Sequence, residues 1–156
     1  MPTVLLKLQH TFSQTPIKSV LNAYQSKMKD RKTKSIDNCE VLSMRAVDNK
    51  TISYEVRRKV PDFCQRFFNL NDVVYTEKAI IENENAIQIT SEQEVSKITL
   101  STNMRYVYNT ETKDTVVIGI VKVSNVPKIL VAPMKVYAEK AFKSERKLDE
   151  KYIVAK

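Results

Sequence analysis

Apolar and polar positions alternate with a period of two along most of this chain, and the period lengthens to a helical one in only two places. In Thr3 to Phe12, Val4, Leu6 and Leu8 fall on one face and Leu5, Lys7 and Gln9 on the other, which predicts a first strand. The apolar opening Met1 to Gln9 is short and lacks a basic start or a small-residue cleavage site, so strand is expected there and not a signal peptide. In "SQTPIKSVLNAYQSKM" Thr15 is placed to cap a helix and Pro16 to occupy its first position, where a missing N–H costs nothing. Ile17, Val20, Leu21 and Tyr24 then share one face of a short amphipathic helix that ends in basic residues.

From residue 37 the period is two again. "NCEVLSMRAVD" and "KTISYEV" flank the turn Asp48-Asn49-Lys50, and "DVVYTEKAII", "AIQITSEQEV", "KITLSTNMRYVYN" and "TVVIGIVKV" follow, separated by polar turns. Ile98, Leu100, Met104, Tyr106 and Tyr108 share one face, as in a sheet packed on one side. Pro127 and Pro133 bracket "KILVA" and introduce the last element. There Met134, Tyr137 or Ala138, Ala141, Leu148 and Tyr152 recur at helical spacing over five to six turns, with a lysine-rich opposite side.

Strand, helix, six strands and a long helix make an α+β chain of the helix-grip type. Seven antiparallel strands carry a C-terminal helix across one face, with room for an elongated apolar cavity between them. At 156 residues a single domain covering 1–156 is expected. With 42% hydrophobic and 28% charged residues, wholesale disorder is not.

Composition narrows the chemistry. Gly119 is the only glycine, which excludes phosphate-cradling P-loops and dinucleotide fingerprints, so no cofactor is expected. His10 is the only histidine and reads as a half-buried strand residue; no nucleophile–base pairing is legible, and the chain is not expected to be an enzyme. Cys39 and Cys64 are too few for a Cys/His zinc site or a disulfide framework and read as free thiols.

The net charge of +8 is uneven. "KMKDRKTK", "RRK" and the closing segment are basic, while "ENENAIQITSEQE" is acidic. Such a field draws anionic partners, whether nucleic acid, membrane or ligand; lysines that merely solvate a surface are the plainer alternative. Basic and aromatic residues meet in "RRKVPDFCQRFFNL", where three cations end a strand, Pro61 breaks it and three phenylalanines follow. By residue type alone, Phe67 and Phe68 read as core packing under a loop.

In this order the segments resemble those of the PRELI/slowmo family, lipid-transfer proteins of the mitochondrial intermembrane space. "LQHTF" is similar to the family's His-x-Phe first strand, and "VLSMRAVDNKTISYEVRR" to its second and third strands. "KVPDFCQRFF" is similar to Lys-Leu-Pro-x-Trp-x-x-x-Phe with Phe63 in place of Trp, and "YVYNTETKDTVVIGIVKV" with "MKVYAEKAFKSERK" to the last hairpin and closing helix. The family's Tyr-Pro-Asn-Pro stretch after the first helix is replaced by "KMKDRKTK".

The resemblance implies a non-enzymatic carrier of an anionic phospholipid, phosphatidic acid or phosphatidylserine, working at anionic membrane surfaces in the intermembrane space or its counterpart in a related organelle. A small cysteine-rich helical partner is implied with it. Pro61 to Leu70 becomes a lid loop, with Pro61, Phe63, Arg66, Phe67 and Phe68 meeting acyl chains or membrane. Lys27, Arg58, Lys59, Lys143 and Lys147 become headgroup contacts, although Lys140, Lys143 and Lys147 also suit the solvated face of a helix. The alternative is a basic RNA- or ribosome-binding protein, whose interleaved aromatic and basic residues are confined to "MRYVY".

Overall fold

The computed structural model describes residues 2–154; Met1, at the head of the apolar opening, and residues 155 and 156 of the expected single domain lie outside it. Strand β1 (Val4–Phe12) is followed by helix α1 (Ile17–Thr33), strands β2 (Cys39–Ala46) and β3 (Thr51–Lys59), and a short helix α2 (Asp62–Phe68). Strands β4 (Asp72–Asn83), β5 (Ala86–Val95), β6 (Ile98–Asn109) and β7 (Asp114–Ser124) come next, then a 3-10 turn (Lys128–Leu130) and helix α3 (Val131–Val154). Among the described residues no helix is long and apolar enough to cross a membrane.

The seven strands form one antiparallel sheet in the order β1-β7-β6-β5-β4-β3-β2. Every strand is thus joined to its sequence neighbour by a hairpin or by α2, except β1 and β2, which lie at opposite edges and are connected by α1. Sheet alternation holds as the sequence predicts: Tyr54 and Val56 of β3, Ile87 and Ile89 of β5, Tyr106 of β6 and Val117, Val121 and Val123 of β7 are buried. Helix α3 covers this apolar face through Phe142, and α1 adds Val20, Tyr24 and Met28 to the same core.

Gly119 of β7 lies beneath Phe142 of α3. A Cβ there would lie 2.5 Å from Sδ of Met104 and 2.9 Å from Cε2 of Phe142, so only hydrogen fits between strand and helix. Tight turns do not use it. Among the described residues eight others take positive φ instead, including Asn38, Asn69 and Asn125, whose side chains tolerate the left-handed region, and the less suited Ser96 and Lys97.

Three expectations are corrected. Pro16, and not Thr15, occupies the cap position of α1; the Thr15 hydroxyl donates to the Ser13 carbonyl at 2.9 Å instead. Helix α1 is also longer than the apolar pattern shows, running on through most of the basic run to Thr33. The lid is not a plain loop: residues 62–68 form two turns of helix, which Asn69 ends in the left-handed region.

Candidate ligand-binding cavity

Between the concave face of the sheet and α3 lies a cavity of about 210 Å³. One part of its wall is apolar, built from Ile98 and Leu100 of β6, Val121 and Val123 of β7, and Met134 and Ala138 of α3. Phe68 and Cys64 of α2 close this part. The lid is seated by Phe63, whose ring meets that of Tyr137 edge-on at 6.2 Å, and its two ends are stapled by the Val60 N–H donating to the Asn71 carbonyl at 2.8 Å.

The other part of the wall is ionic. Lys27 and Arg31 stand one turn apart on α1, Arg58 closes β3, and Glu145 and Arg146 come from α3. Lys27 is 1% exposed and donates to Glu145 at 2.9 Å and to Asp149 at 2.5 Å. Arg31 is 2% exposed and donates to both oxygens of Glu145, at 2.6 and 3.2 Å. Arg146 donates through Nε to Asp149 at 3.0 Å, and its guanidinium lies over the rings of Phe142 and Tyr106. Arg58 is 3.7 Å from Glu145 and donates to the Tyr75 hydroxyl at 3.2 Å. Burial works to raise the Glu145 pKa, but Lys27, Arg31 and Arg58 outweigh it and hold the carboxyl well below the usual range. Beside this network the Tyr24 hydroxyl donates to Glu77 at 2.6 Å, and burial together with that carboxylate pushes the phenol well up.

Two donors are left over. Nε of Arg31 and Nη1 of Arg146 are buried and meet no acceptor. Native interiors rarely strand such groups.

Of the headgroup residues expected from sequence, Lys27, Arg58 and Lys59 all line this cavity, Lys27 deep within it and Lys59 exposed beside the lid. Lys143 and Lys147 do not: both project from the exposed side of α3, and Glu145, Arg146 and Asp149 take the inward positions. Of the lid residues, Pro61 and Phe68 line the cavity, Phe63 is half-buried against α3, and Arg66 and Phe67 are exposed. Arg31, Glu145, Arg146 and Asp149 are absent from the sequence-based site. Their signal was present in the α3 stripe, because the step from Ala141 to Leu148 spans two turns, and the position that fills it at helical spacing is Glu145. His10 lies elsewhere, between Phe12 and Glu150, where it ties β1 to α3 at 3.0 Å. Cys39 and Cys64 are free, as the sequence predicts, and both line the cavity.

No family model matches the chain, and no curated protein matches it in sequence. Solved structures do. The di-domain ARO/CYC StfQ of the steffimycin biosynthetic pathway superposes with a TM-score of 0.67 over 97% of this chain and 50% of its own, at 8% identity. Human STARD10 gives 0.61 over 96% of this chain and 63% of its own, at 10% identity. A norcoclaurine synthase mutant of Thalictrum gives 0.60 over 99% and 98%, at 10% identity. The chain therefore spans half of StfQ and less than two thirds of STARD10, and at these identities the likeness is one of fold. That fold is used by enzymes as well, so it does not decide for or against catalysis. The chain has the START/Bet v1-like helix-grip fold.

Proposed function

We propose that the protein is a non-enzymatic carrier of an anionic phospholipid, phosphatidic acid or phosphatidylserine, which it shelters between sheet and α3 while moving it between membranes. The observation that carries this reading is the pairing, in one cavity, of an apolar wall under an aromatic lid with a cluster of buried cations. Apolar walls replace water around acyl chains at about 25 cal/mol per Å² of buried surface, which lowers the barrier to a lipid leaving its bilayer. Cations offset the cost of bringing a phosphate inside.

At about 210 Å³ the closed cavity is below the roughly 300–1,000 Å³ of ordinary ligand clefts. Loading therefore requires α2 to swing outward on its stapled base. Phe67, 51% exposed, and Arg66 beside it are the lid residues free to meet acyl chains and phosphates of a membrane as it does so. In this reading the protein works in the mitochondrial intermembrane space or its counterpart in a related organelle, alongside a small cysteine-rich helical partner.

Native mass spectrometry of the purified protein, followed by transfer of labelled phosphatidic acid and phosphatidylserine between liposomes, tests the proposal. Lipid recovered intact and moved faster than its spontaneous rate supports it; chemical conversion of the lipid would move the protein to the enzymes of its fold. The RNA-binding reading is less well served. Tyr106 of "MRYVY" is buried in the cavity wall, and Arg105 is held by both oxygens of Glu82. Salt-sensitive RNA binding with no lipid bound would restore it.

A further inference from the structure

Helix α3 has two sides of opposite character. Glu145, Arg146 and Asp149 point inward, whereas Val136, Lys140, Lys143, Lys147 and Lys151 are all exposed. At 3.6 residues per turn these five fall within an arc of about 80°, and the four lysines alone run about 16 Å along the axis. Among the described residues no carboxylate forms an ion pair with any of the four. Glu139 borders the arc without closing on Lys143, Glu150 is engaged by His10, and Asp30 of α1 accepts from the Tyr152 hydroxyl at 2.5 Å. A helix face that only solvates the fold usually mixes its signs, because like charges three and four positions apart repel. Here Lys140, Lys143, Lys147 and Lys151 make three such contacts in succession, and an extended anionic surface laid along the helix relieves all of them.

At its N-terminal end the stripe runs into bare apolar side chains. Val136 is 52% exposed on the same arc, and Ile129, 76% exposed, stands beside Lys128 on the turn that enters α3. Phe63 packs on Tyr137, and Phe67 follows it by one turn on the side of α2 turned toward α3, where it is exposed. Nucleic-acid phosphates are read best by arginine forks and give a bare valine or phenylalanine no partner; the arc carries no arginine. A bilayer takes both kinds of group, headgroup phosphates meeting the ammonium ions and the acyl boundary meeting the apolar tips.

We propose that α3 docks lengthwise on an anionic bilayer, with Lys140, Lys143, Lys147 and Lys151 among the headgroups and Val136 and Phe67 dipping below them at one end. For its purpose this rests on the carrier reading, to which it adds an orientation. The convex face of the sheet points away from the membrane, the three helices lie against it, and the lid opens straight into the lipid that is to be loaded. Lys143 and Lys147, which have no place in the cavity wall, hold the protein on the surface from which the cavity is filled.

In the test, the full chain is mixed with phosphatidylcholine vesicles with or without phosphatidylserine, and the bound fraction is read by flotation. Wild type is expected to float with the anionic vesicles and to leave them as salt is raised. Lys143→Gln combined with Lys147→Gln is expected to lower the partition coefficient about tenfold or more. Both side chains are exposed, so the thermal melt of that variant is expected to match the wild type. Orientation is read with a fluorophore on Ser144→Cys, on the exposed side of α3, or on Thr76→Cys, on the convex face of β4; the native cysteines are buried. Anionic vesicles are expected to shield the first label from acrylamide and to leave the second open. No binding to anionic vesicles at low salt, unchanged binding of the double variant, or shielding of the label at 76 in place of that at 144 overturns the proposal. Single-stranded RNA binding that the lysine substitutions abolish while vesicle binding persists also overturns it. Phospholipid found bound by native mass spectrometry beside any of these results leaves the carrier reading standing. Lysine-dependent docking by a protein that moves neither phosphatidic acid nor phosphatidylserine between vesicles keeps the docking face and removes the carrier reading.

Discussion

Arg31 of α1 grips Glu145 of α3 with a two-pronged bond, Nη2 to Oε1 at 2.6 Å and Nη1 to Oε2 at 3.2 Å. The same carboxylate takes Lys27 and faces Arg58, so a single residue fastens the first helix, the last helix and the third strand around one end of the cavity.

Glu145→Gln keeps the shape and deletes the charge, leaving Lys27 with Asp149 as its one carboxylate partner and Arg31 with none. Breaking a buried pair in this way is expected to cost about 3 kcal/mol, read as a lower denaturant midpoint at unchanged slope. The pH dependence has a definite sign. Because Glu145, faced by Lys27, Arg31 and Arg58, has its pKa lowered on folding, its contribution is full above the unfolded value of about 4.3 and is lost as the pH falls through the folded value below it. Melting temperature is expected to drop on acidification below that point, and to drop less steeply in the glutamine variant.

Gly119→Ala places a methyl group against Met104 and Phe142. The thioether of Met104 is able to turn aside, but Phe142 is packed between sheet and Arg146, so an overpacking cost of about 1–3 kcal/mol is expected in chemical denaturation. A loss below a few tenths of that scale would show that α3 is free to lift from the sheet.

Lys97 holds φ at 72° in the hairpin between β5 and β6. Lys97→Gly relieves a left-handed strain of about 1–2 kcal/mol and gives back part of it as unfolded-state entropy, for an expected gain of roughly 0.5–1 kcal/mol. Thermal melts of the two proteins side by side decide it.

Burial pushes the Cys64 thiol up to about 11 and that of Cys39 in the same direction. Both are therefore expected to react slowly with iodoacetamide at pH 8 while the lid is closed. Anionic vesicles that open α2 should speed labelling of Cys64, which lies on the lid, more than that of Cys39 in β2. Peptide mapping after timed labelling gives the comparison; equal slow rates with and without vesicles would leave the lid shut.

Lys59 lines the cavity beside the lid, whereas Lys143 faces solvent. Lys59→Glu is expected to lower lipid transfer several-fold with the melting temperature unchanged. Lys143→Glu should do no more than weaken attraction to an anionic vesicle, an effect abolished by salt.

Much of this architecture was legible because a sheet covered on one face writes its alternation into the chain: Ile98, Leu100, Met104 and Tyr106 announce the concave wall directly. The bracketing prolines likewise marked where α3 begins. The ionic end was hidden by the same logic. Lys27 and Arg31 sit in a run of cations that composition assigns to the surface, and only the partner carboxylates from α3, more than 110 residues away, make their burial tolerable. The lid helix was missed because a proline followed by three aromatics within six residues reads as irregular chain, while its two turns are stabilised by packing of Phe63 on Tyr137 of α3 and of Phe68 on the second apolar cluster and not by local propensity.

The pairing of β1 with β7 sets Val4 opposite Val123. A ribosome must make all of β2 to β7 before β1 finds its neighbour, and α3 arrives later still. Until then one edge of the sheet is bare and the greasy inner surface has no roof. Folding dominated by so distant a contact is expected to be slow, and the nascent chain is most prone to stick to other chains, or to hydrophobic material of any kind, in the interval before its final helix closes over it.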